Sequence, residues 1–343
     1  MMSTMIRSRL FQRVMFGLLI SAFLPTAGPL LAAETLVVYS ARKEHLIKPV
    51  IDQYTKETGV RVDLLTDKEA ALLVRLKAEG KNTPADLLIT VDAGNLWEAV
   101  HQDVLLQVNS ETLKENVPLH LRDPKGRWVG LSIRARTIVY NTERVKPSDL
   151  STYEALGESQ WKNRLCLRTS KKVYNQSLVA MMMSQLGKPQ TEAVVKSWVN
   201  NLATPVFSND TKVLKAIAAG QCDVGIVNTY YYGRLLRKSP DLPLALFWPN
   251  QTGRGVHVNI SGAGVTKHSK HAKAATGFLE WLSSGGAQNL FADGNLEYPV
   301  NPKVKPASEV AAWGSFKQDQ TNLAKAGELQ KEAIRLMDRM GYK

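Results

Sequence analysis

Three consecutive tyrosines, Tyr230, Tyr231 and Tyr232, are the most distinctive group of reactive side chains in this 343-residue sequence. They follow directly after an apolar run, 222–227, that predicts a buried strand, and they open a predicted helix through Leu236. Because adjacent residues of a helix point about 100° apart, one hydrophobic core cannot enclose all three rings. We therefore expect at least two of the phenol groups to be exposed at the carboxyl end of the strand.

Clustered phenol groups are suited to binding a hard cation. Phenolate oxygen is a hard, anionic donor, so several phenolates suit Fe(III) better than zinc or Cu(I). A free tyrosine has a pKa of about 10, so the metal has to displace the phenol protons. Tyr140 ends another predicted strand, and we expect its phenol group to lie in the same binding cleft as the tyrosines at 230–232.

The loop after the first predicted strand contains two cations, Arg42 and Lys43. Arg42 is suited to pair bidentately with carbonate or a similar synergistic anion beside the metal. Removal of this side chain should then weaken iron binding. Because a loop contributes little to the core, we expect Arg42→Ala to leave the stability of the metal-free protein almost unchanged.

The alternation of strands and helices around these residues predicts an α/β fold with parallel sheets. The predicted strands and extended segments lie at 35–39, 61–66, 86–91, 128–140, 163–168, 206–207, 222–227, 244–248 and 256–260. The segment 128–140 is long enough to cross between two lobes. Two α/β lobes with a hinge predict a ligand cleft between them, outside the carboxyl ends of the strands. We expect closure to gather ligands from both lobes and to exclude water.

The start of the sequence has the pattern of a secretory signal peptide over residues 1–33. Three arginines precede an apolar run at 14–24, and small residues follow up to Ala33, where we expect cleavage. In an exported protein the pair Cys166 and Cys222 predicts a disulfide.

The charge and the motifs of the chain argue against several classes of function. It carries 44 Lys and Arg against 31 Asp and Glu, but these bases are scattered and do not predict nucleic-acid binding. The sequence has no nucleophile elbow, P-loop, zinc-protease motif or dinucleotide fingerprint. We therefore expect a binding protein and not an enzyme.

The chain resembles the ferric-iron-binding periplasmic proteins of bacterial ABC importers, which belong to the type II periplasmic binding protein superfamily. The similarity lies in VYSAR at 38–42, PADLLITVDAG at 84–94, YN at 140–141 and YNQS at 174–177. Its most specific part is NDT at 209–211, followed by Gly220, CDV at 222–224 and NTYY at 228–231. It implies a transferrin-like two-lobe fold, a periplasmic location and a monomer. It also implies that the protein captures ferric ion or a ferric chelate and delivers it to an inner-membrane ABC permease.

The resemblance also implies a ligand set. The paired tyrosines that bind iron in that family match Tyr230 and Tyr231, and a third ligating tyrosine of one branch matches Tyr140. Tyr232 matches a position that is not a ligand.

The first loop departs from the family pattern. Many members have a histidine, alone or before a tyrosine, where this chain has Lys43 and Glu44. Glu44 is a weaker candidate for a hard oxygen ligand. Other members use an acid after the third strand, where this chain has Val91 followed by Asp92. These departures favour a tyrosine-dominated site that is completed by an anion near Arg42.

The predicted lobes follow from this architecture. Residues 34–134 and 262–313 form the N-terminal lobe, and residues 135–261 and 314–343 form the C-terminal lobe.

Two other functions stay open at this point. The same fold could bind a phosphorylated or phosphonate solute, with Arg42, Lys43 and the helix starts at Asn175 and Asp210 as the phosphate cradle. The second alternative is a secreted hydrolase. A visible phenolate-to-iron absorption band distinguishes the first of these from iron binding, and a screen for turnover tests the second.

Overall fold

The structure is a computed structural model that describes residues 35–343, and these residues contain nine strands in one connected sheet. The strands are β1 (Thr35–Ser40), β2 (Arg61–Thr66), β3 (Leu87–Val91), β4 (Val129–Asn141), β5 (Leu165–Cys166), β6 (Val224–Asn228), β7 (Leu244–Phe247), β8 (Val258–Val265) and β9 (Tyr298–Pro299). The main path through the sheet is β2-β1-β3-β8-β4-β6-β5, and β7 and β9 also pair with β4. The predicted signal peptide, 1–33, lies outside the described residues.

The same residues form thirteen α-helices that pack around the sheet. The helices are α1 (Glu44–Thr58), α2 (Glu69–Glu79), α3 (Ala93–His101), α4 (Glu111–Asn116), α5 (Val173–Leu186), α6 (Lys188–Asn200), α7 (Asp210–Ala218), α8 (Thr229–Leu236), α9 (Ala272–Leu282), α10 (Gly285–Asp293), α11 (Ser308–Ala311), α12 (Ala324–Glu328) and α13 (Gln330–Arg339). Within residues 35–343, none of the helices combines the length and the apolar character that a membrane span requires.

The long strand β4 connects two halves of the fold, and all thirteen of its residues are buried. Its beginning pairs with β8 and β9, and its end pairs with β6 and β7. We call the part built on β1, β2, β3 and β8 the first half, and the part built on β5, β6 and β7 the second half. The predicted crossing segment at 128–140 coincides with β4, whereas the predicted lobe boundaries stay a prediction.

The strand directions are mixed. β1 runs parallel to β2 and β3, and β5 runs parallel to β6, as predicted. β4 and β8 are antiparallel to each other, β8 is antiparallel to β3, and β4 is antiparallel to β6. The prediction of parallel sheets was therefore wrong for these two strands. As a result, the carboxyl end of β4 lies at the opposite edge of the sheet from the carboxyl end of β6.

Local signals set several of the helix boundaries. Gly59 ends α1 with a φ of 74°, a left-handed conformation that glycine adopts without steric cost. Pro49 lies inside α1 and not in its first turn, because the helix begins at Glu44. The amphipathic pattern over 318–340 predicts one helix, but the structure divides this segment into α12 and α13.

The disulfide between Cys166 and Cys222 confirms the predicted pair. Cys166 ends β5, Cys222 lies just before β6, and their Cα atoms are 5.9 Å apart across a sequence separation of 56.

We predict that the double variant C166S/C222S unfolds at a lower urea concentration than the parent protein. On the chain-entropy model a loop of this length contributes about 4 kcal/mol. An unchanged urea midpoint, or two free thiols in the mass spectrum of the native protein, would contradict this prediction.

Candidate metal centre

Three phenol groups lie together in a cleft between the two halves. Tyr230 is in the first turn of α8 and Tyr174 in the first turn of α5, and the Tyr230 hydroxyl donates a hydrogen bond to the Tyr174 hydroxyl at 3.3 Å. The ring of Tyr231 packs on that of Tyr230 with centroids 4.4 Å apart. All three side chains line a cavity of about 300 Å³. The arrangement offers several oxygen donors to a single bound ion.

The tyrosine pair owes its position to β6. Every residue of this strand is buried. The chain leaves the sheet at the carboxyl end of the strand, where α8 begins, and this places the tyrosines at that edge. Asn228 anchors this corner because its backbone N–H donates to the Asp210 carboxylate at 3.1 Å. Tyr232 lies one residue farther along and its hydroxyl donates to the carbonyl oxygen of Leu244, outside the cavity.

The protonation of Tyr230 is set by its surroundings. Burial raises the pKa of this phenol well above its usual range, and the neighbouring Tyr174 and Tyr231 raise it further. The Arg134 guanidinium acts in the opposite direction but does not offset these effects. Without a bound cation the Tyr230 hydroxyl therefore keeps its proton at neutral pH.

Cations surround the phenol groups. The guanidinium carbons of Arg134 and Arg168 lie 5.8 and 5.5 Å from the ring centroid of Tyr174, and the Lys172 ammonium lies 4.8 Å from it. The Arg234 guanidinium lies 5.2 Å from the ring of Tyr230. Such a cluster attracts anions and favours the ionised form of a phenol.

Strand β4 carries polar side chains at alternate positions beneath the cleft, and one of them, Arg134, lines the cavity. Ser132, Arg134 and Arg136 are spaced by two residues and therefore point to the same face of the strand. Ser132 donates to the Glu297 carboxylate, and Arg134 donates to the Ser261 hydroxyl at 2.7 Å. The Nε atoms of four buried arginines have no hydrogen-bond partner among the described residues: Arg42, Arg134, Arg136 and Arg168. Of these four, Arg134 alone has no carboxylate within salt-bridge distance. This guanidinium is therefore the least engaged of the four.

Arg42, the predicted anion-binding residue, borders the cavity but its terminal nitrogens are already used. It is 3% exposed. Nη1 donates to Glu297 and to Ser261 at 3.1 Å, and Nη2 donates to the carbonyl oxygen of Phe291 at 2.9 Å. Burial favours the neutral form of Glu297, but the Arg42 and Arg134 guanidiniums overcome this effect and hold its pKa below the usual range. Arg42 therefore takes part in a buried ion pair, and this pair favours a loss of stability on its removal, in contrast to the expectation from the sequence.

A second buried ion pair lies under the tyrosines. Asp210 is fully buried and accepts from Arg136 at 3.2 Å, and Arg168 lies 3.5 Å from its other oxygen. Arg136 also donates to the side chains of Asn175 and Asn228. The two helix starts that were candidates for a phosphate cradle are at Asp210 and Asn175. The first is occupied by the Asp210 carboxylate, and at the second the Asn175 amide already has a partner in Arg136.

Glu44, the weaker ligand candidate, does not lie with the tyrosines. It is the first residue of α1, is exposed, and lines a different surface depression with Lys48 and Asp52. The preceding residue, Lys43, lines the tyrosine cavity. The Glu44 side chain therefore faces away from the cleft, although its neighbours Lys43 and Leu46 line the tyrosine cavity.

Tyr140 is not brought to the cleft either. In the antiparallel register of β4 and β6, Arg136 lies opposite Asn228 whereas Tyr140 lies opposite Val224. The four residues between Arg136 and Tyr140 correspond to roughly 13 Å of strand. The prediction assumed that β4 ended at the same edge as β6, and the antiparallel direction of β4 places Tyr140 at the other edge.

Sequence reasoning missed Tyr174 as a candidate for the site. It noted the motif from Tyr174 to Ser177 and the loop before it as a strand end, but it did not select the phenol. The strand before this loop, β5, has only two residues. A tyrosine at the start of a helix after a strand was the available signal, the same signal that identified Tyr230.

The comparisons place these features in a family. A family model described as bacterial extracellular solute-binding protein matches residues 50–318. Iron uptake protein A1 of Synechocystis is 42% identical over 312 residues, which cover 89% of this chain and 87% of the relative. The major ferric iron-binding protein of Neisseria meningitidis is 27% identical and covers 95% of this chain and 98% of its own length.

Solved structures agree in their fold. A Trichodesmium protein titled IdiA or FutA, in complex with iron and citrate, superimposes with a TM-score of 0.88 at 44% identity, over 90% of this chain and 100% of its own. The ferric iron-binding protein A of Mannheimia haemolytica, in an open conformation, gives 0.86 at 35% identity, over 90% and 99%. The two-lobe fold predicted from the sequence is thus confirmed, and the chain belongs to the family of bacterial extracellular solute-binding proteins.

Proposed function

We propose that this protein binds Fe(III) in the periplasm through the phenolate oxygens of Tyr174, Tyr230 and Tyr231 and delivers it to an inner-membrane ABC permease. The observation that carries the proposal is the convergence of three phenol groups in one cleft rich in cations. Hard phenolate donors match a hard trivalent cation. Relatives named for iron uptake and for ferric iron support the same cargo.

The charges of the cleft support an anion that binds with the iron. Three phenolates balance the three charges of Fe(III), so the surrounding Arg and Lys side chains keep their excess positive charge. Among the buried arginines that line the cavity, Arg42 pairs with Glu297 and Arg168 with Asp210, whereas Arg134 has no carboxylate within salt-bridge distance among the described residues. We therefore propose Arg134, and not Arg42, as the main anion-binding residue. The Trichodesmium structure contains citrate beside iron, which supports a carboxylate or carbonate in this position.

The proposed activity is binding without turnover. Membership of a solute-binding family supports this assignment. We propose that the exported protein, after cleavage near Ala33, acts as a monomer and transfers its cargo by docking on the permease.

The phosphate alternative is less well supported by the charges of the site. A phosphate at the start of α7 would meet the buried Asp210 carboxylate, which already pairs with Arg136. Like charges at short distance disfavour such binding. Titration of the protein with a ferric chelate distinguishes the two functions, because only the iron complex gives a visible phenolate band.

The first prediction concerns the phenol groups. Tyr174→Phe, Tyr230→Phe and Tyr231→Phe each remove one oxygen donor and retain the ring. We expect each variant to lose more than about tenfold in iron affinity, the lower scale for a supporting residue of a metal site. The intensity or position of the visible band should change as well. Competition with a chelator and absorbance titration measure both effects.

Two tyrosines outside the cavity serve as matched controls. Tyr232→Phe and Tyr140→Phe should retain the iron affinity and the band of the parent protein. Both residues are largely buried, so their variants also report any cost of removing a buried hydroxyl. Wild-type affinity in all three cleft variants, or a loss confined to the controls, would contradict the proposed ligand set.

The second prediction concerns pH. Because the surroundings raise the pKa of the Tyr230 phenol well above 10, bound iron has to keep displacing its proton. Iron affinity should therefore fall as the pH falls, by up to about tenfold per pH unit for each displaced proton. The visible band followed from pH 8 to pH 5 measures the release, with circular dichroism as the control for folding. An affinity independent of pH over this range would argue against phenolate ligands.

The third prediction concerns Arg42. Arg42→Ala leaves the buried Glu297 carboxylate without its partner, and breaking a buried ion pair costs about 3 kcal/mol or more. We expect the urea midpoint of the metal-free protein to fall accordingly. Lys43→Ala, which removes the exposed neighbouring cation, should leave the midpoint unchanged. Equal stability of the two variants would show that the Arg42–Glu297 pair contributes little.

A further inference from the structure

Asp92 is a buried acid between the two halves that the proposed ligand set does not use. It follows β3, is 0% exposed, and has a φ of 79°, which residues other than glycine rarely adopt. One carboxylate oxygen accepts from the backbone N–H of Gly94 at 3.0 Å, and the other accepts from the Asn259 side chain at 2.9 Å. These two contacts fix the acid within the first half of the fold.

A third donor comes from the other half. The Ser177 hydroxyl on α5 donates to the same Asp92 oxygen as Gly94, at 2.6 Å, and Ser177 is 0% exposed. Ser177 lies three residues after Tyr174, so the two side chains share one face of the helix. The hydrogen bond therefore links the first half directly to the turn of α5 that carries Tyr174.

The packing around this bond is close. A Cβ atom on Gly94 would lie 2.9 Å from the side-chain oxygen of Gln330, so this position has little room for a larger residue. Gln330 in turn donates to Gln176, the neighbour of Ser177, at 2.9 Å. The start of α5 is thus held against α3 and α13 by side-chain hydrogen bonds on two adjacent residues.

We propose that Asp92 and Ser177 are positioning residues that hold Tyr174 at the iron site through the hydrogen bond between the two halves. Neither side chain touches the proposed metal position. The bond fixes the direction and depth of the first turn of α5, and with it the distance of the Tyr174 oxygen from Tyr230. This inference rests on the proposed function, because it assigns Tyr174 to iron.

The test is a double-variant cycle in the full protein. Ser177→Ala removes the donor, and we expect about tenfold faster release of iron to a chelator, the lower scale for a supporting residue of a metal site. The visible band should change in the same direction as in Tyr174→Phe. In the Tyr174→Phe background, Ser177→Ala should have less than about a twofold further effect, since its target is gone.

Ser283→Ala is the matched control. Ser283 is also 0% exposed and hydrogen-bonded, but it lies after α9, away from the cleft. Its variant should lower the melting temperature to a similar extent as Ser177→Ala and leave the release of iron unchanged. If Ser177→Ala does not fold, Ser177→Cys, which keeps the size of the side chain but donates a weaker hydrogen bond, replaces it in the same cycle with the same expectation.

The outcomes separate this inference from the function on which it rests. A wild-type protein that stays colourless with a ferric chelate would overturn both. A coloured wild-type protein whose Ser177 variant releases iron at the normal rate would overturn the positioning role alone. An equal effect of Ser177→Ala in both backgrounds would also overturn it, because the serine would then act independently of Tyr174.

Discussion

The cleft depends on two buried ion pairs, Arg42–Glu297 in the first half and Arg136–Asp210 in the second. Removing one partner of such a pair would leave the other charge buried and uncompensated, so each pair fixes the strand ends that carry it. Arg134 is on β4 between Ser132, which contacts the first pair, and Arg136, which belongs to the second. It has no carboxylate within salt-bridge distance among the described residues. The fold thus satisfies most of its buried charge and leaves one cation facing the place where an anion is needed.

The sequence was a good guide to the elements and a poor guide to their directions. The apolar runs that bound β1, β3 and β6 are local signals, and these strands were predicted within one or two residues. The antiparallel course of β4 and β8 depends on pairing between residues that are more than 100 positions apart. Local periodicity carries no information about such pairing, which is why the sheet was predicted to be parallel.

The difference between local signals and long-range strand pairing also explains which site residues could be predicted. Tyr230 and Tyr231 were identifiable because three adjacent tyrosines on a helix point in different directions. One hydrophobic core therefore cannot enclose all three rings. Tyr140 was assigned to the cleft because its strand was expected to end beside β6 and because it matches a ligating tyrosine in one branch of the family that the chain resembles. The alternation in Ser132-Ile-Arg-Ala-Arg136 was a readable sign that β4 presents polar groups to one face. What those groups face could be known only from the antiparallel register.

The origin of the three phenol groups constrains how the cleft works. Tyr174, Tyr230 and Tyr231 all belong to the second half, so one half supplies all the proposed oxygen donors, unlike the expected gathering of ligands from both lobes. The first half contributes cover and charge, since Glu69 lies 3.8 Å from the Lys172 ammonium across the cleft. Excluding water lowers the local dielectric and strengthens the attraction between phenolates and a trivalent cation. The second half therefore supplies the ligands, and the first half acts on them through the Asp92–Ser177 hydrogen bond and through how closely it packs against the bound ion.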